Sequence, residues 1–222
     1  MKVVVFAPHP DDELIGCGGS IAKHVSRDDK VTVVYMTSGD KGGTEHSKEI
    51  LAIIREREAL EAAEFMGINS LIFLKNEDGS LRRSPEIIKN VKNIITGEKP
   101  QLIYIPHHLD GHKDHIITNK IVVEVIKKAA LPCLHNRASK TWKVKSVLCY
   151  QVWAPLTKVS FLEDITEFVD IKKKALEFHR SQKNRIRYIK TVKNLYDCDF
   201  NKKRAKYFES FQVLKFHPQL PG

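Results

Sequence analysis

Apolar residues arrive along this chain in short β-branched runs separated by longer stretches of helical periodicity. Residues 3–7 form an uninterrupted run, the mark of a strand buried on both faces of a sheet. Leu14, Ile15, Ile21, Ala22 and Val25 then recur at helical spacing, and Gly16, Gly18 and Gly19 between them let that helix approach a sheet closely. Residues 30–36 predict a second strand and 37–43 a glycine-rich loop. A helix follows over 47–66, with Ile50, Ile53, Ile54, Leu60, Ala63 and Phe65 as its apolar stripe and Gly67 as its stop. A third strand, 71–74, ends in Asn76, Glu77, Asp78 and Gly79, a turn by composition. Pro85 opens a helix to about residue 96, residues 101–105 form a fourth strand, and a helix runs on to about residue 130 on Ile116, Ile117, Ile121, Val122 and Val125. Residues 145–153 predict a further strand and 164–182 a capped helix. Each strand but the last precedes a helix, so the pattern predicts an α/β fold with a Rossmann-like, doubly wound, mostly parallel sheet. No repeat or linker divides residues 1–222, which read as one domain with the basic segment 183–222 packed on it.

The polar positions gather where two of these strands end. The first stops at His9, Pro10, Asp11, Asp12 and Glu13; the fourth leads into His107, His108, Asp110, His112, Asp114 and His115. In open α/β sheets that edge is where ligands bind. Adjacent carboxylates raise one another's pKa, and a divalent cation is the simplest group to neutralise them. Imidazole and carboxylate donors from two loops, without cysteine, suit zinc or a related metal at a catalytic centre, where three protein ligands leave one position open. A solvated turn that caps a helix would explain one carboxylate, not three beside an imidazole. A dinucleotide fingerprint needs glycines directly after the strand, and the acids there would repel phosphate. His107 and His108 read as loop or supporting groups.

Charge and cysteine content narrow the setting. The net charge is +10, with lysine and arginine densest after residue 172. A solvated helical face is the plain reading of such a run; a module binding nucleic acid or an anionic glycan is the alternative, and no recognised nucleic-acid motif accompanies the charge. Cys17, Cys133, Cys149 and Cys198 form no CxxC pair, which leads us to expect reduced thiols in the cytoplasm. No apolar run approaches a signal-peptide core or a membrane span. A homo-oligomer is compatible with all of this.

The chain resembles the PIG-L or LmbE-like N-acetylglucosaminyl deacetylases. The motifs that carry the resemblance are APHPDDE at 7–13 followed by GCGG, TSGDKGG after the second strand, RERE at 55–58, GHKDH at 111–115, and the late HRSQ and YFESFQVL segments. The resemblance implies a zinc-dependent hydrolase that removes acetate from an N-acetylated amino sugar, a small-molecule substrate. Its alternative is another amide hydrolase, acting on a thiol conjugate or an antibiotic precursor. By position it implies zinc ligands at His9, Asp12 and His115, a general base at Asp11, and a protonated His112 facing the oxyanion, tuned by Asp114. The arginine that contacts sugar hydroxyls matches Arg55, for which an i,i+3 ion pair with Glu58 on an exposed helix is the other reading. Some members of sugar-thiol pathways carry a tyrosine where Asp110 stands here.

Overall fold

The sheet grows outward from β1 (Lys2–Ala7), whose side chains alternate between two cores. Val3, Val5 and Ala7 face one side, Val4 and Phe6 the other, and all five are at most 1% exposed. A strand with no wet face has no need of polar alternation, which is why the run is continuous. The computed structural model describes residues 1–132, 141–182 and 207–215. Around β1 lie β2 (Lys30–Thr37), β3 (Ser70–Asn76), β4 (Leu102–Pro106), β5 (Ser146–Tyr150), β6 (Phe161–Asp164) and β7 (Phe208–Lys215), in the order β3-β2-β1-β4-β5-β7-β6. The pairs from β3 across to β5 are parallel; β7 runs antiparallel to both β5 and β6.

Helices cover both faces. α1 (Asp12–Ser26), α2 (Lys48–Met66) and α5 (Val169–Leu176) pack on one core, α3 (Pro85–Glu98) and α4 (Lys113–Ala129) on the other. Ser47 and Ser84 cap α2 and α3 by accepting the amides of Ile50 and Ile87, and Gly67 ends α2 in the left-handed region. The chain winds from β1 to β2 and β3, then crosses back to β4 on the other side of β1. The C-terminal ends of β1 and β4 therefore splay apart at the topological switch point, leaving a crevice between their loops.

Four expectations need correction. The helix read over 164–182 is broken into β6, a short 3₁₀ turn at Thr166–Phe168, α5 and a second 3₁₀ turn at Arg180–Gln182. Strands β6 and β7 were not anticipated, and β7 inserts part of the basic segment 183–222 into the sheet. In α2 most of the expected apolar stripe faces outward: Ile50, Ile53 and Leu60 are at least half exposed and only Ala63 of the stripe is buried, while Leu51, Arg55, Glu58, Ala59, Ala62 and Met66 form the rest of the buried face. Finally, α1 is kinked at Cys17, where φ is −145° and ψ 26°. Cys17 and Cys149 are free and buried; Cys133, Cys198 and most of the late lysines and arginines lie outside the described residues. No described helix is long and apolar enough to cross a membrane.

Candidate metal and hydrolytic centre

The three carboxylates after β1 have three different fates. Asp11 has φ 121°, a left-handed backbone that costs about 1–3 kcal/mol for a residue with a side chain. The strain turns the chain sharply enough to start α1, whose Leu14 and Ile15 amides donate to Asp11 O at 3.1 and 3.0 Å. The Asp11 side chain faces Arg55, with Oδ1 3.1 Å from Nη2. Asp12 points to the loop after β4: its Oδ2 lies 2.9 Å from His9 Nδ1 and 3.0 Å from His115 Nε2. Glu13 turns away from both. It accepts the Tyr35 hydroxyl at 2.7 Å and the strained Asp11 amide at 3.2 Å, and burial pushes its carboxyl up to about 8. Only two of the three acids therefore belong to the crevice.

His9 joins the two loops. Its Nε2 lies 3.0 Å from Asp78 Oδ1 and 3.3 Å from Asp114 Oδ2. Burial would lower the pKa of His9, but hydrogen bonds with Asp114, Asp12 and Asp78 outweigh it and raise it well above the ordinary imidazole value. Burial likewise raises Asp12, yet His115 and His9 hold it well below the usual carboxylate range. Neither ring nitrogen of buried His115 makes a hydrogen bond of good geometry, although Asp12 Oδ2 and Asp110 Oδ1 lie within 3.0 and 3.5 Å. Ring nitrogens of His9, His112 and His115 fall within 4.8 Å of one another, as do donor atoms of His9, Asp78 and Asp114. Among the described residues, these are groups placed to hold a metal ion. Imidazole and carboxylate donors are a fitting set for a borderline divalent cation, and a half-satisfied buried imidazole fits the role of a ligand.

His112 caps α4, and this changes its expected state. Its Nδ1 accepts the Asp114 amide at 3.2 Å, which requires a lone pair on that nitrogen. That contact suits a neutral ring with its proton on Nε2, whereas the resemblance implies an imidazolium. Burial, together with the neighbouring His9 and His115, lowers its pKa in the same sense. Asp114 reaches both His112 and His9. Its backbone meets His112, but its carboxylate lies against His9 and accepts the Gly79 amide at 2.6 Å and the Leu81 amide at 3.3 Å.

Arg55 is 1% exposed and donates to Gly39 O at 3.0 Å and to Pro10 O, so the reading of an exposed ion pair with Glu58 is wrong. Glu58 is buried as well, and accepts Ser181 N and Oγ of the late HRSQ segment at 2.8 and 2.7 Å. His9, Asp11, Asp12, Arg55, Asp78 and Trp153 line a small cleft beside the imidazole–carboxylate cluster. The Trp153 and His112 rings face each other with centroids 6.4 Å apart and planes 30° apart. Asp78 and Trp153 escaped the sequence reading, and Asp110 was named in it without a role. Asp78, read as turn composition, sits at the same sheet edge after β3. Asp110 ties the loops after β4 and β5 together by accepting the amides of His112, Val152 and Trp153, each at 3.2 Å. Trp153 sat within an expected strand. His107 is buried, with Nε2 2.9 Å from Ala154 O, whereas His108 is exposed.

The fold and this centre define a Rossmann-like protein with an imidazole–carboxylate site able to hold a metal. A family model described as PIG-L, GlcNAc-PI de-N-acetylase, matches residues 4–126, more than half of the chain, and the chain belongs to that family. A diacetylchitobiose deacetylase of Thermococcus kodakarensis is 29% identical over 191 residues, 82% of this chain and 70% of that protein. A solved structure of N,N'-diacetylchitobiose deacetylase from Pyrococcus horikoshii, in complex with its inhibitor MPG, superposes with a TM-score of 0.83 at 28% identity, covering 96% of this chain and 83% of that one. GalB, a 4-carboxy-2-hydroxymuconate hydratase from Pseudomonas putida, reaches 0.85 at 19% identity over 100% and 98% of the two chains, a likeness of fold alone.

Proposed function

We propose that this protein is a zinc-dependent deacetylase of an N-acetylated amino sugar, releasing acetate and the free amine. The observation that carries the reading is the convergence of His9 and His115 on Asp12, with Asp11 beside them, in a member of the PIG-L family. The names of the similar proteins support the sugar. His9, Asp12 and His115 would hold the ion, and zinc bound there supplies a Lewis acid and brings water into the nucleophilic range near neutral pH.

The chain's own residues do the rest. Asp11 takes the proton of the attacking water, its carboxylate aimed by Arg55. His112 donates its Nε2 proton in a hydrogen bond to the amide oxygen as negative charge develops there, and stays neutral throughout. Asp11 then returns its proton to the nitrogen as the C–N bond breaks. Asp114, through His9, fixes the ring that faces Asp12. Arg55, Asp78 and Trp153 line the cleft where the sugar would lie, Arg55 as a hydroxyl contact. Residues 1–222 act as one catalytic unit in the cytoplasm, a setting supported by the buried free thiols of Cys17 and Cys149.

Three basic residues just before the segment 183–222 are paired within the chain, which favours the solvated-face reading over a polyanion-binding module. Lys173 pairs with Asp170, Arg180 with Glu61, and Lys172 is buried against Glu209. Acetate release from N-acetylglucosamine and N,N'-diacetylchitobiose tests the proposal, before and after chelation and zinc restoration. One free amine should appear per acetate, and chelation should abolish both. Salt-sensitive polyanion binding without acetate from any N-acetylated sugar would overturn it.

A further inference from the structure

The last strand reaches the first helix at the point where that helix breaks. In an unbroken α1 the Gly19 amide would donate to Ile15 O. Here it donates to Glu209 Oε1 at 2.8 Å, and Ile15 O instead accepts Lys172 Nζ at 2.9 Å. Lys172 Nζ also donates to Glu209 Oε1 at 2.6 Å, so an ion pair stands between the two halves of a helical hydrogen bond. The second carboxylate oxygen accepts Ser20 N at 2.8 Å and Ser20 Oγ at 2.6 Å. Glu209 is 0% exposed. It acts as an N-terminal cap for the second half of α1, and Lys172 as a C-terminal cap for the first. The kink at Cys17 that frees these groups leaves only residues 12–16 in the first half. That short piece carries Asp12 and begins at strained Asp11.

We infer that Glu209 and Lys172 are a positioning pair: inserted into the kink of α1, they set the orientation of its first turn and so aim Asp11 and Asp12 at the crevice. Neighbouring packing supports a fixed kink. A Cβ on Gly16 would stand 2.2 Å from Tyr150 Cδ2 and one on Gly19 2.6 Å from Ile165 Cδ1, so both halves are pressed against their neighbours at set places. The pair thereby makes the antiparallel strand β7, 190 residues from Gly19 in sequence, a support of the site. The inference rests on the proposed roles of Asp11 and Asp12, and misplacement of reacting groups by about 1 Å can cost on the order of 10²-fold in rate.

The test compares wild type with Glu209→Gln, Lys172→Met, the double variant Glu209→Gln/Lys172→Met and Lys172→Arg. The double variant leaves no lone buried charge, so it should fold even where a single variant does not. Two readouts are taken on folded protein: amide hydrogen exchange of residues 11–20, and kcat and KM for acetate release from N,N'-diacetylchitobiose. We expect faster exchange across 11–20 in the double variant with α3 and α4 unchanged, kcat lower by roughly 10- to 100-fold with KM within about twofold, and recovery in Lys172→Arg. A double variant that only melts earlier, with first-turn exchange and kcat as in wild type, would reduce the pair to ordinary structural support and overturn the inference. Should wild type release no acetate, the functional reading fails, while the exchange data still decide whether the pair holds the first turn.

Discussion

Two buried carboxylates lie on opposite sides of the same helix kink, and they are satisfied in different ways. Glu209 is surrounded by fixed donors: two backbone amides, a hydroxyl and an ammonium group. Asp12, less than two turns away, accepts one amide and otherwise meets only imidazoles, His9 and His115, whose protons can leave. The first arrangement is complete and has no room for a ligand. In the second, each partner can exchange a proton for a shared cation without losing its place. Burial of charge alone therefore does not mark a site; the chemistry of the partners does.

The comparison breaks most visibly at Asp12. Asp12→Ala should abolish stoichiometric metal binding and reduce kcat/KM by about 10³-fold or more, read by elemental analysis and acetate release. Metal retained at one equivalent would move the ligand set to His9, His112 and His115. A smaller effect sharpens the role of His112. His112→Ala should lower kcat by roughly 10²- to 10³-fold, while His112→Gln, which can still accept the Asp114 amide and donate an N–H, should recover part of that loss. Equal losses in both would mean that an imidazolium charge is needed after all.

Smaller again is an effect on stability. His179 is fully buried and neither ring nitrogen has a hydrogen bond among the described residues; burial, with Arg55 nearby, pushes its pKa down to about 3. Its folded value lies below its unfolded one, so the neutral form stabilises the fold above about pH 6.5. That stabilisation is lost as pH falls toward 3, by an amount of the order of a few kcal/mol. Urea midpoints taken stepwise in pH should fall less steeply in His179→Gln; an unchanged slope would rule out a buried neutral imidazole. The least effect belongs to the surface of α2, where Ile53 is 69% exposed. Ile53→Ser should shift the unfolding free energy by within about 0.5 kcal/mol, whereas Ala59→Ser on the buried face should cost more.

What could be read in the sequence follows from how local its causes are. β1, β2 and β4 are buried on both faces, and continuous apolar runs announce them without help from partners. The two polar clusters that hold His9, Asp12 and His115 were legible because they stand beyond such runs; which of their members converge was implied only by the resemblance. β7 was not, because its inward positions are Glu209 and Phe211: a charged residue interrupts the alternation, and its donors are supplied by α1 and α5. In α2 the apolar residues misled, since the face turned to the site is the one that carries Arg55 and Glu58 and leaves the isoleucines outside. Asp78 looks like an ordinary turn residue and Asp110 like one more acid of a polar loop, and only the convergence of three loops gives them their partners. The amide contact from Asp114 to the His112 ring is likewise one that no spacing encodes.

The division of labour between two adjacent aspartates is the central claim: Asp12 holds the cation and Asp11 moves the proton. Asp11→Asn keeps the size of the side chain and its contact with Arg55 but cannot accept the water's proton. Metal content and kcat measured on one preparation of this variant test the claim most directly. The account predicts about one metal ion per chain with kcat reduced roughly 10²- to 10⁴-fold. A variant that loses its metal, or one that keeps both metal and wild-type turnover, would contradict it.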